Sequence, residues 1–153
     1  MSGMDIIFGL VSSFVGALGF ALIFRLRPRY LLPASLGGML AYAVYLVADL
    51  CGLQLFVSNF LAAASAALFS ELCARGLKAP SVVFSIPCLI PLVPGSLLYY
   101  TMSHLLGGRY DTSFSYLTKT LVVCLGLAGG LIVVSVLFSI ISCCMERGKQ
   151  KSE

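Results

Sequence analysis

Tryptophan is absent and charge is scarce: Asp, Glu, Lys and Arg make up 10% of the 153 residues, and His104 is the single histidine. So thin a polar cover excludes an ordinary soluble domain, because a well-packed one of ~150 residues buries only about 70% of its unfolded surface. Here 59% of the residues are hydrophobic, with a mean hydropathy of +1.02. The chain therefore reads as an integral membrane protein. The acids are few and scattered, and no serine has a base and an orienting acid near it in sequence, so no enzyme constellation is present. There is no CxxC pair, which leaves a metal site without support, and no cofactor is expected. The basic residues lie in short loops rather than on one long face, and no nucleic-acid partner is expected.

Six cysteines would suggest a disulfide framework in a small secreted domain, but that needs polar, loop-rich surroundings. Cys73, Cys88 and Cys124 lie within or at the ends of apolar runs, Cys51 sits at a tight turn, and Cys143 and Cys144 close the last run. They are read as small buried hydrophobes.

Five apolar runs are present. The first, Ile6 to Phe24, is long enough to cross a ~30 Å hydrocarbon core as a helix. No basic region precedes it and arginines follow it, so it is read as a mature span rather than a signal peptide. Its Gly9, Gly16 and Gly19 are spaced to admit a close neighbour. Leu31 to Leu50 is the second span, with Pro28 and Pro33 punctuating the exit from the first span and the re-entry, and Cys51 to Gln54 a hairpin turn. Leu53 to Leu72 is the third, its centre LAAASAAL favouring close packing over lipid exposure, and Ser58 and Asn59 are expected to bond a neighbouring helix. Pro80 to Leu106 is the fourth, opened by Pro80 as a first-turn proline. Gly107 to Ser115 is then the longest turn, and Tyr116 to Cys144 the fifth span, with Lys119 in its first turn extending toward the interface. Residues 1–145 form one transmembrane domain and 146–153 a short polar cytoplasmic tail.

Basic residues fall on one side. Arg25, Arg27, Arg29, Arg75, Lys78, Arg147, Lys149 and Lys151 share a face opposite Arg109 and Lys119. The positive-inside rule places the N-terminus outside and the C-terminus in the cytoplasm.

The fourth span carries the candidate chemistry. Pro87, Pro91 and Pro94 fall within eight positions and Gly95 follows, so a helix through PLVPG must break near residues 91 to 95. Bare backbone at membrane depth is tolerated where protein buries it or where it lines a wet cavity. Prolines also serve as plain packing kinks, but the hydroxyls of Ser96, Tyr99, Tyr100 and Thr101 directly after the break exceed what a kink needs. A half-helix starting near Ser96 would present free N–H groups to an anion such as a carboxylate. Three ionisable residues are candidates for ion coupling. Asp49 ends span two, with Arg109 or Lys119 as expected partners; Glu71 stands four residues before Arg75, a spacing that also suits a structural pair; His104 suits either an interfacial or a proton-linked role.

The segment IPCLIPLVPGSLLYYTM, Ile86 to Met102, within a small multi-span chain, resembles the small-subunit, YjjB-like branch of the threonine/serine exporter family. Only this segment is specific, and the span layout of most of the chain agrees. The resemblance implies a multi-pass protein of the bacterial inner membrane, working with a larger YjjP-like membrane subunit. It implies export of a small carboxylate-bearing solute, threonine and serine in one branch and succinate in another. It implies importance for Pro91, Leu92, Pro94, Gly95 and Tyr99 or Tyr100, and does not reach Asp49 or Glu71. Two five-span units joined in one chain would enter the bilayer with opposite orientation, as an inverted repeat requires. The expectation is thus an all-α membrane protein of five spans, the fourth broken at PLVPG, acting as one component of a secondary exporter. The alternatives are a non-transporting scaffold subunit and a homo-oligomeric channel.

Overall fold

The computed structural model describes residues 3–150, with side chains described for Met4 and 6–141. Among the described residues are six α-helices and one 3-10 turn: α1 Gly3–Ile23, α2 Pro28–Leu50, α3 Leu55–Leu77, α4 Val82–Leu89, the turn Ile90–Leu92, α5 Gly95–Leu106 and α6 Tyr110–Gln150. Four helices are long and apolar enough to cross a membrane. The segments Val82–Leu92 and Gly95–Leu106, bent by 50° at the break, make a fifth crossing if taken as one span. The last residues of the expected tail, 151–153, and the side chains of Cys143 and Cys144 lie outside what is described.

Large and small residues are distributed as a bilayer demands. Lipid tails are as apolar as leucine, so helices gain little by hiding large apolar side chains and pack through small ones that let backbones approach. Ile7, Phe8, Val11 and Val15 face outward along α1, whereas the buried set is Ala17, Ala21, Ala34, Ala41, Ala62, Ala63, Ala66 and Ala67 with few larger members. The LAAASAAL face of α3 is part of this core, as its composition led one to expect. Hydroxyls within the helices bond back to their own turn, among them Ser13 to Gly9 O at 2.7 Å and Ser70 to Ala66 O at 2.7 Å. Ser58 and Asn59 do the same, donating to Gln54 O and Leu55 O, rather than bridging to another helix.

Glycines set the crossings. Gly37 and Gly38 of α2 form the hub: a Cβ at Gly37 would meet Cys88 Sγ and the Phe69 ring, and one at Gly38 would lie 2.6 Å from Ala17 Cβ and 3.4 Å from Pro91. Helices α1, α3 and α4 therefore all close on this one point. Gly37→Ala is expected to lower the melting temperature of the purified protein by several degrees. Cys88→Ala in the same chain should recover part of that loss, since Sγ is the nearest obstacle; additive losses in the double-mutant cycle would show the contact to be irrelevant. In α1, Gly9 receives the Tyr42 ring, but nothing lies within 4 Å of a Cβ at Gly16 or Gly19, so two of the three expected contact glycines are not at a crossing.

Several boundaries move. Helix α2 begins at Pro28 and carries Pro33 within it, and Pro80 precedes α4 instead of opening it. The expected Gly107–Ser115 turn shrinks to 107–109, because Gly108 takes a positive φ of 71° and α6 starts at Tyr110, with Asp111 favourably placed in its first turn. At its other end α6 stays helical to Gln150, past the expected Cys144. Among the described cysteines only Cys88 is fully buried; Cys73 is intermediate and Cys51 and Cys124 are exposed, so the buried-hydrophobe reading fails for those two. All four are free thiols.

Candidate functional site

The break forms because each proline withholds a donor. Pro91 has no N–H for Pro87 O, and Pro94 none for Ile90 O, which instead accepts from Val93 N at 3.2 Å in the 3-10 turn. Val93 is extended, and Pro94 caps α5 with φ −77° and ψ 56°. Gly95 N donates to Val93 O at 2.8 Å and Leu98 N to Pro94 O at 3.2 Å. Among the described residues no backbone carbonyl takes the N–H of Ser96 or Leu97. The first turn of α5 thus carries two unspent donors at the positive end of a helix dipole.

Those two residues line a cavity of about 440 Å³. Its walls come from α2 (Tyr42, Tyr45), α3 (Leu55, Asn59), the break (Pro91, Leu92, Pro94) and α6 (Lys119, Val123). The size falls in the range of roughly 300–1,000 Å³ typical of small-molecule sites, and apolar walls with a few converging polar groups are the usual composition. Among the described residues Lys119 is the only cation on the lining. Its Nζ stands 5.6 Å from the centroid of the Tyr116 ring, a cation–π contact that holds the ammonium without neutralising it. Tyr42 and Tyr45 are 6.1 Å apart between ring centroids.

The cavity lies toward one end of the bundle. The ends of α1 and α3 and the starts of α2 and α4, with Ala21, Ala34, Ala74 and Phe84, close into a dry core beside the basic loops. The cavity's own residues, Tyr45, Leu55 and Lys119 among them, reach toward the turns at 51–54 and 107–109.

Of the residues expected from sequence, Pro91, Leu92, Pro94 and Ser96 line the cavity. Gly95 sits beside it with open space where a Cβ would be. Tyr99 and Tyr100 are exposed on α5. Thr101 is buried; its hydroxyl donates to Leu97 O at 2.8 Å while its carbonyl accepts from Ser113 Oγ at 2.7 Å, fastening α5 to α6. His104 stacks on Tyr116 at 5.4 Å and on Tyr100 at 6.4 Å, away from the lining. Asp49 is exposed at the end of α2 and forms no ion pair with Arg109 or Lys119 among the described residues. Glu71 is half-buried on α3 and off the lining, and Arg75 lays its guanidinium 4.8 Å over the Phe138 ring of α6.

Tyr42, Tyr45 and Lys119 are the polar lining residues that sequence reasoning did not place at the site. Lys119 was legible as a charge inside an apolar run, but with the helix expected to start at Tyr116 it counted as a first-turn residue. Helix α6 starts at Tyr110, which places Lys119 tenth, about 14 Å along the axis.

No curated protein and no solved structure matches the chain. A family model described as Threonine/Serine exporter, ThrE, matches residues 9–137, a stretch that contains every residue lining the cavity. A multi-span helical chain, broken at PLVPG around a cavity with one lysine, thus belongs to the threonine/serine exporter family.

Proposed function

We propose that this chain is the small subunit of a secondary exporter, moving small amino acids or carboxylates of the threonine/serine or succinate type with a larger YjjP-like membrane subunit. The observation that carries the reading is the cavity in which the Lys119 ammonium shares a lining with the unspent N–H groups of Ser96 and Leu97. A cation and a helix N-terminus together favour a carboxylate, and the Ser96 hydroxyl adds a donor or acceptor for the remainder of the solute. Tyr42, Tyr45 and Asn59 supply further polar contacts on the opposite wall. With the basic loops in the cytoplasm, the cavity belongs to the outer half of the bilayer and the dry core around Phe84 to the inner half. The partner subunit covers the open side and rocking against it alternates access.

The test is export of labelled threonine, serine and succinate from bacterial cells expressing this chain alone, the larger subunit alone, or both. Flux is expected only with both. Flux in none, with the larger subunit lost from the membrane whenever this chain is missing, would make the chain a scaffold and overturn the reading.

A further inference from the structure

A second cavity, of about 310 Å³, lies on the other side of α2 and is lined by Gly9, Ser12, Ser13 and Gly16 of α1 with Tyr42, Ile90 and Pro91. Tyr42 and Pro91 belong to both linings. These two residues are therefore the partition between the chambers. The Tyr42 side of it is specially accommodated: a Cβ at Gly9 would lie 2.7 Å from both the Tyr42 hydroxyl and its Cε1. The Pro91 side lies in the 3-10 turn, where the proline ring carries no N–H to anchor it to the preceding turn.

The chambers are also stepped across the bilayer. The first extends from Tyr42 to Tyr45 and Leu55, toward the 51–54 turn. The second extends to Gly16, whose neighbour Ala17 packs at Gly38, one turn of α2 nearer the basic loops than Tyr42. Serine hydroxyls beside glycine backbone make this a polar chamber, although Ser12 is exposed on a helix whose other outward residues are large and apolar.

Resting on the exporter reading above, we infer that the second chamber is a further station for the same small carboxylate-bearing solute, and that Tyr42 is the residue whose displacement joins it to the first. The solute passes from Ser96 and Lys119, between the Tyr42 ring and Pro91, to Ser12 and Ser13. The aromatic ring rather than the phenol hydroxyl makes the barrier.

The experiment uses the full chain co-expressed with its larger subunit. Downhill efflux of labelled threonine and of a bulkier amino acid, leucine, is measured for the parent, Tyr42→Phe and Tyr42→Ala, with membrane abundance of each determined in parallel. Tyr42→Phe keeps the aromatic ring and is expected to go on excluding leucine. Tyr42→Ala is expected to admit leucine at a rate at least fivefold above the parent. In a second arm, Ser12→Cys and Ser96→Cys are labelled with a small charged methanethiosulfonate, above the background of the native thiols, with and without saturating threonine. Threonine should slow the labelling of both cysteines. Protection at Ser96→Cys with none at Ser12→Cys, or a Tyr42→Ala protein that is abundant and still excludes leucine, overturns the second station and leaves the exporter reading standing. No flux by the parent pair, and no protection at either cysteine, overturns both.

Discussion

Lys119→Met should abolish most of the solute flux while leaving the protein in the membrane. The expectation rests on where the ammonium stands. Among the described residues it is the one cation on the lining of the larger cavity, and its contact there is to the face of the Tyr116 ring, which leaves its three N–H groups for a ligand. A hydrogen bond to a charged group contributes about 1.5–3 kcal/mol, so losing it should weaken apparent affinity roughly ten- to a hundredfold. Methionine keeps the length and apolar stem of the side chain, so packing along α6 should be little disturbed. Lys119→Arg keeps the charge but replaces a compact ammonium with a planar fork, and is expected to retain partial flux. Export assays at graded internal solute concentrations separate affinity from turnover. A Lys119→Met protein with the parent's concentration dependence would remove the lysine from the site.

Gly130→Ala should be among the most damaging methyl groups that can be added at the described glycines. A Cβ there would lie 2.5 Å from the Phe60 carbonyl oxygen, 2.9 Å from Ala63 Cβ and 2.9 Å from the Ala64 nitrogen. Backbone cannot rotate aside as a flexible side chain does, so α3 and α6 must separate. Overpacking typically costs about 1–3 kcal/mol and occasionally more, and a backbone obstacle puts this site at the upper end. Gly129, the preceding residue, is the control. Its Cβ would meet the Phe60 ring at 3.4 Å, an ordinary contact, and alanine in a helix gains up to about 1 kcal/mol over glycine. Thermal unfolding in detergent should therefore show Gly129→Ala unchanged or stabilised and Gly130→Ala much less stable. Equal melting temperatures for the two would mean that α3 and α6 do not cross at this point.

Both residues show where reading along the chain stops short. The membrane class, the position of each apolar run and the break at PLVPG follow from local chemistry: hydrophobic length, helix geometry and the missing proline N–H are properties of neighbouring residues. The fold class and the approximate spans were legible for that reason, and the small-residue face of α3 with them. Helix ends were less so. Tyr110 to Ser115 contains no proline or glycine to forbid a helix, and its polar residues look like a loop until Ser113 is seen bonding Thr101 across to α5.

Rotation of each helix about its own axis is a different matter, because it depends on which partner it meets. Tyr42 faces both cavities since Gly9 of α1 leaves room for its ring, and the α2 hub at Gly37 and Gly38 draws Pro91 against the same helix. Thr101, close in sequence to Ser96 and chemically similar, is buried off the lining, its hydroxyl donating to Leu97 O within α5 while its carbonyl accepts from Ser113 of α6. Composition and proline spacing were enough to specify a broken-helix membrane protein. The choice of Ser96 over Thr101, and of Lys119 over Asp49, as lining residues came from packing between helices distant in the chain, whose close approaches are set by glycines that carry no directional signal of their own.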